Sequence, residues 1–203
     1  MKERVEDHGI KVILASESPR RQEMLQSLSI DFQVCIPRIS EKWNPGENPR
    51  KVATRLAVEK AQKCRKRTAL IVGMDTLVVA NRDILGKPTN AQQAKAMLQL
   101  LSGRTHQVIT GVALIWKGAI SSGAAVTHVE FRRIHPGEID WYVETGEPFD
   151  KAGAYAIQGL ARIFIQRIDG CYYNVVGFPL TLFQRLLKRL GFSILDLQTQ
   201  RNT

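Results

Sequence analysis

Residues 69–80 read Ala-Leu-Ile-Val-Gly-Met-Asp-Thr-Leu-Val-Val-Ala. β-forming apolar residues run almost unbroken, so the segment predicts a strand buried on both faces. Such a strand needs cover above and below, which points to an α/β architecture. One acid, Asp75, interrupts the run. A carboxylate there carries a large desolvation cost unless it meets a metal, a cation or several donors. Gly73 allows a close backbone approach or a bulge beside it. The plain alternative is a strand that stops at Gly73 and leaves Asp75 exposed in a turn.

A second stretch, Leu14-Ala15-Ser16-Glu17-Ser18-Pro19-Arg20-Arg21, reads as the end of a short strand, a tight turn and a helix start. Ser18 suits the N-cap and Pro19 the first helical position. Free amides and the positive end of the helix dipole make such a turn an anion site. Arg20 and Arg21 stand in the first turn against that dipole, so they answer to something external and negative, and arginine grips phosphate with a bidentate fork. The competing reading is a surface helix start with two solvated arginines.

The remaining periodicities predict alternating helices and strands. Helices are expected over residues 20–28, with Met24, Leu25 and Leu28 on one face, and over 48–66, capped by Asn48 and striped by Val52, Ala53, Leu56, Ala57, Ala61 and Cys64. Further helices are expected over 90–101, with Ala91, Ala94, Met97, Leu98 and Leu101 inward, over 136–145, stopped by Gly146, and over 179–190. Strands are expected over 30–36, 105–116, 123–134 and 163–168; the second and third form a hairpin closed by a Gly/Ser turn, with 123–134 at an edge. Residues 39–49 and 173–178 read as loops, 148–155 as turn-prone, and the tail after Gly191 as frayed. Glu41, on the first loop, reads most simply as an exposed carboxylate. His106 and His128 read as structural, since no spacing makes a metal pair. Between Arg50 and Arg67 there are eight Lys/Arg and one acid, most of them a solvated face, with Lys60 on the border of the apolar stripe and able to reach a cleft.

At 203 residues the chain suits one domain or two small lobes. Its formal charge of +10 favours a polyanionic partner: nucleic acid, nucleotide or acidic surface. Three cysteines, Cys35, Cys64 and Cys171, form no CxxC pair; their odd number argues against a disulfide framework and reads as buried thiols in a reducing compartment. Met1 to His8 lack a signal peptide's apolar core, and no run reaches the ~20 apolar residues that span a bilayer. A cytoplasmic protein is expected. There is no Walker A sequence and no dinucleotide GxGxxG. The candidate charges are Arg20, Arg21, Lys60, Lys87 and Lys151 against Glu41, Asp75 and Asp150, a set that suits a polyphosphate with Mg²⁺ or Mn²⁺ held through oxygen.

Taken together, Ala15-Ser-Glu-Ser-Pro-Arg-Arg, Glu59-Lys60-Ala61, Gly73-Met-Asp-Thr, Gly86-Lys-Pro, His106-Gln-Val-Ile-Thr-Gly, Gly146-Glu-Pro-Phe-Asp-Lys-Ala-Gly-Ala-Tyr, Ile157-Gln-Gly and Asn174-Val-Val-Gly-Phe-Pro-Leu resemble, in order, the Maf family of nucleoside triphosphate pyrophosphatases. The resemblance spans residues 12 to about 190. It implies a single Maf-like domain over 1–203, with 1–10 and 191–203 peripheral, folded as a mixed elongated sheet with flanking helices and two lobes around a cleft, of the inosine-triphosphate-pyrophosphatase type. It also implies cleavage between the α and β phosphates. By position, Asp75 matches the family's proton acceptor, Glu41 its other carboxylate near the metal, and Ser16, Arg20, Arg21, Lys60 and Lys87 its phosphate cluster. Arg20, Thr76 and Gln158 match positions tied to base choice; with Lys151 they complete the implied substrate set. The Asp-Lys-Ala-Gly-Ala-Tyr and Ile-Gln-Gly forms resemble the branch acting on dTTP and UTP. A homodimer is implied, with the Trp141-Tyr142 region as a candidate interface. From another class, a basic nucleic-acid-binding protein without catalysis is the alternative that the Arg50–Arg67 cations motivate, although no aromatic-interleaved basic strand accompanies them.

Overall fold

A computed structural model describes residues 10–198. The elements are β1 (Val12–Ala15), α1 (Pro19–Ser27), β2 (Phe32–Cys35), α2 (Pro49–Lys63), β3 (Leu70–Ala80), β4 (Asp83–Leu85), α3 (Ala91–Leu101), β5 (Thr105–Trp116), β6 (Ala119–Phe131), α4 (Pro136–Glu144), β7 (Ile165–Asp169), α5 (Tyr172–Val176) and α6 (Leu180–Arg189). Among the described residues seven strands form one sheet, in the order β2-β1-β3-β5-β6-β7, with β4 paired to β3. β1 runs parallel to β2 and β3, whereas β3, β5, β6 and β7 pair antiparallel. This is the mixed α/β sheet that the sequence predicts.

β3 passes straight through Gly73 and Asp75, so the reading in which it stops early is excluded. Side chains alternate between its faces. Ile71, Leu77 and Val79 pack with residues of α2, which seals one face. On the other face Leu70, Val72 and Met74 join Leu25 of α1 and Leu182, Phe183 and Leu186 of α6. Further along that face, Val78 and Ala80 belong to a separate cluster with α3, α4 and Phe131. Two apolar clusters thus share one strand, and Thr76 falls between them. The helix rides very close to the sheet: a Cβ added at Gly73 would lie 2.3 Å from the Ala57 carbonyl oxygen, and one at Gly111 would lie 2.1 Å from that of Ala53.

Several expectations need correction. Ser18 occupies the N-cap of α1, but its side chain makes no capping bond; the Ser16 hydroxyl accepts from the Ser18 amide instead. β2 spans only Phe32–Cys35 of the expected 30–36, and Ala91 is exposed on α3. The β5–β6 hairpin turns at Lys117-Gly118, where both residues take positive φ, so β6 starts at Ala119 rather than Gly123. β6 is not the edge over its last residues, because β7 pairs with 128–131. Residues 172–176 form a helical turn rather than a loop. The tail is anchored through residue 198: Leu197 is buried and Gln198 bridges Ile30. Tyr142 is fully buried, leaving only Trp141 of that pair exposed. Cys35 and Cys64 are joined in a disulfide rather than standing as thiols. Twenty-nine residues separate them in sequence, but β2 ends beside the C-cap of α2, a proximity that spacing does not reveal. The expectations for Met1–His8 and for 199–203 lie outside the described residues. No helix among the described residues is long and apolar enough to cross a membrane.

Candidate active site

Asp75 projects from the middle of β3 toward α2. Asn48 caps that helix by accepting from the amides of Arg50 and Lys51, and Pro49 starts it. Three turns on, α2 presents Lys60 to the strand. The Lys60 Nζ donates to Asp75 Oδ1 at 2.5 Å and pairs with Glu41 Oε1 at 2.6 Å. Glu41 stands on the 36–47 loop and is half exposed, while Asp75 and Lys60 are buried. Burial pushes the Asp75 carboxyl above its ordinary value, against the pull of Lys60 and Arg21. Burial acts in the same sense on Glu41 but is outweighed by Lys60, with Lys87 and Arg21 behind it, so Glu41 titrates below its ordinary value. One carboxylate is thereby made more basic than the other by its surroundings.

The opposite face holds Arg21, buried under the turn that Ser16 begins. Its Nε donates to Gly177 O at 3.0 Å, Nη1 to Met74 O at 2.9 Å and Ser16 Oγ at 3.2 Å, and Nη2 to Thr76 Oγ1 at 2.9 Å. Four of its five N–H donors are taken, all by uncharged oxygens. Burial lowers its pKa, opposed by Asp75, yet a guanidinium stays protonated at any ordinary pH. The network continues across the sheet: Thr76 Oγ1 meets Thr110 Oγ1 at 3.0 Å, Thr110 donates to Asn174 O, and Asn174 Nδ2 donates to Val108 O and Thr127 Oγ1. This polar row fills the gap between the two apolar clusters.

A cleft of about 640 Å³ opens over both faces. Ser16, Arg20, Arg21, Glu41, Lys60, Asp75, Thr76, Lys87 and Lys151 all line it, so nine of the ten anticipated site residues come together. Among the described residues Arg20 and Lys87 have no hydrogen-bonding or ion-pair partner, whereas Lys151 holds Asp150 and the Glu147 carbonyl. Gln158 is the exception. It is exposed and outside the cleft lining, because the turn closed by Gly159 N on Ala156 O sends Ile157 inward and Gln158 out. Three contributors were given no site role from the sequence, although Tyr155 and Asn174 stand within the quoted motifs. Arg38, on the same loop as Glu41, lines the cleft with nothing but its charge to signal it. Tyr155 forms part of the apolar end with Val78, Val108 and Val176, its hydroxyl 2.7 Å from His106 Nε2. Asn174 carries the far end of the polar row from a segment read as loop. Among the described residues no group of three His, Cys, Asp or Glu side chains is placed to hold a metal. Any cation here would have Glu41 and Asp75 as its protein carboxylates.

The model of the family described as "Maf-like protein" matches residues 11–190. A dTTP/UTP pyrophosphatase of Symbiobacterium thermophilum is 45% identical over 186 residues, covering 91% of this chain and 96% of that protein. One from Dictyoglomus thermophilum is 42% identical over 191 residues, covering 91% and 98% respectively. Among solved structures, a HAM1 protein from Coxiella burnetii aligns at a TM-score of 0.45 and 18% identity over 62% of this chain and 74% of that one, a likeness too slight to add to the assignment. The family match covers the strand of Asp75, the helices of Arg21 and Lys60 and the loop of Glu41, and on that footing this chain belongs to the Maf family.

Proposed function

We propose that this protein hydrolyses dTTP and UTP at the α–β phosphoanhydride, releasing the monophosphate and pyrophosphate. The activity of its named relatives supports the substrate pair. The observation that carries the chemistry is a buried Asp75, raised in basicity, at the floor of a cleft rimmed by cations. In this reading Asp75 takes the proton of the attacking water as its oxygen bonds to the α-phosphorus; the bond to the bridging oxygen breaks and pyrophosphate carries the electron pair away. Arg20 and Lys87, which have no partners of their own among the described residues, bind phosphate oxygens. Arg21 is held too firmly to move; it contributes a fixed positive field and one spare N–H. Ser16 serves through Arg21 and through the turn amide it accepts from. In the nucleotide-free protein Lys60 offsets the charge of Asp75 and Glu41, and Lys151 closes the far wall.

Glu41 and Asp75 fit a divalent cation such as Mg²⁺ or Mn²⁺: both are hard oxygen donors and both reach one point, the Lys60 ammonium. When bound, such an ion supplies charge neutralisation and a more acidic water. The apolar end, with Tyr155 and Ile157, suits a base, and since Gln158 faces solvent this reading leaves base choice to Arg20 and Thr76. The reading carries with it a single two-lobed domain, a homodimer with Trp141 at an interface, and a cytoplasmic location. Non-catalytic nucleic-acid binding is not favoured, because the basic run of α2 has a buried Lys60 spent on carboxylates and an Arg55 spent on Glu47 and Glu59.

The test is a panel of purified nucleoside triphosphates, including modified pyrimidines, assayed for pyrophosphate with Mg²⁺ and with Mn²⁺. Fastest release from dTTP and UTP is expected. Release from none of the panel overturns the proposal.

A further inference from the structure

The ammonium of Lys60 lies between two carboxylates, 2.5 Å from Asp75 Oδ1 and 2.6 Å from Glu41 Oε1. A divalent ion taking those same two oxygens would compete with Nζ for them. Two further observations bear on that exchange. First, no third His, Cys, Asp or Glu joins them among the described residues. Magnesium takes about six oxygens in near-octahedral array, so most of its shell would have to be water and phosphate. Second, the backbone that carries Lys60 cannot back away. α2 sits on Gly73 and Gly111 at distances that leave no room for a methyl group, and the next turn is tied to β2 through Cys64. Lys60 can vacate the seat only by swinging its side chain into the cleft. There it needs a new anion, because a buried ammonium without a partner is costly.

We infer that Lys60 is a built-in stand-in for the cation: in the nucleotide-free protein its ammonium fills the seat between Glu41 and Asp75, and the triphosphate draws it off, so that metal and nucleotide bind together rather than in sequence. The inference rests on the pyrophosphatase reading for the identity of the anion, but not for the seat itself. Half-exposed Glu41, on its loop, is the partner that opens; Asp75, buried in mid-strand and paired with Gly111 of β5, stays.

The experiment titrates Mn²⁺ into the protein and reads free Mn²⁺ by electron paramagnetic resonance, with and without a dTTP analogue whose α–β bridge is a methylene. The analogue should tighten Mn²⁺ binding to the wild type about tenfold beyond what the analogue achieves alone in solution, an ordinary size for coupling between two ligands. Lys60→Met should bind Mn²⁺ about tenfold more tightly than wild type when no nucleotide is present, and most of the analogue's gain should vanish. Equal Mn²⁺ affinity in nucleotide-free wild type and variant, or an undiminished gain in the variant, overturns the inference. Should Lys60→Met fail to fold by circular dichroism, the wild-type titration decides alone, and no gain from the analogue refutes it. Inorganic pyrophosphate run in parallel separates the two readings: if no nucleotide is hydrolysed yet pyrophosphate still tightens Mn²⁺ binding, the proposed activity fails while the stand-in survives.

Discussion

Asp75 and Thr76 are neighbours on β3 and look to opposite faces of the sheet. On the Asp75 face a buried charge is met by charges: Lys60 answers it directly and Glu41 shares the same ammonium. On the Thr76 face the buried charge of Arg21 is met by dipoles alone, two carbonyls and two hydroxyls. One ammonium offsets only one of the two carboxylate charges, so the first arrangement keeps a muted negative field that changes when something separates Lys60 from its partners. Neutral acceptors hold a guanidinium without cancelling it, so the second exports a permanent positive potential into the cleft. One face is therefore switchable and the other fixed.

Replacing the acid should break this contrast most sharply. Asp75→Asn is expected to lower pyrophosphate release from dTTP about a thousandfold, the usual size of a lost general base. Its melting temperature should hold, since a desolvated carboxylate is removed and Lys60 keeps Glu41. On the other face the effects reverse. Arg21→Leu strands the Gly177 and Met74 carbonyls and should destabilise the fold by roughly 3 kcal/mol or more in urea titration. His106, on the same side of β5 as Thr110, tests how far that face tolerates a new charge. Burial lowers its pKa to about 4, below the ordinary 6.5. The unfolded chain therefore binds more protons between those values, so stability is full above pH 6.5 and falls as the pH drops toward 4, by up to roughly 3 kcal/mol. Denaturation of wild type and His106→Gln at pH 7 and pH 4.5 should show the slope in the first and not in the second. Thr76→Val removes one acceptor of Arg21 and should cost about 1 kcal/mol. Least of all, Arg20→Ala should change stability by under ~0.5 kcal/mol while raising the KM for dTTP. A large loss of stability there would mean that the adjacent arginines do not differ as described.

Much of this arrangement is readable from residue order, and the failures have physical causes. The acid inside an apolar strand, the capped and proline-started α2, and Lys60 at the border of its stripe all follow from local patterning. What patterning does not show is which partner a polar group will choose. Ser16, not Ser18, accepts the turn amide, because the chain before the helix doubles back on itself. Arg21 looks as free as Arg20 until Gly177, far away in sequence, is brought beneath it. The Cys35–Cys64 bond and the outward Gln158 are likewise set by where elements dock, not by their own composition. The hairpin shifts because Lys117 accepts a positive φ that its residue type disfavours.

The bond from Arg21 to the carbonyl of Gly177 joins positions 156 residues apart. During synthesis the strand that bears Asp75 leaves the ribosome long before its opposite wall exists. A nascent or prematurely terminated chain ending short of Gly177 carries the acid and the lysine but lacks the acceptor that steadies the guanidinium. The buried guanidinium thus gains its Gly177 acceptor only after that late segment has been made and docked.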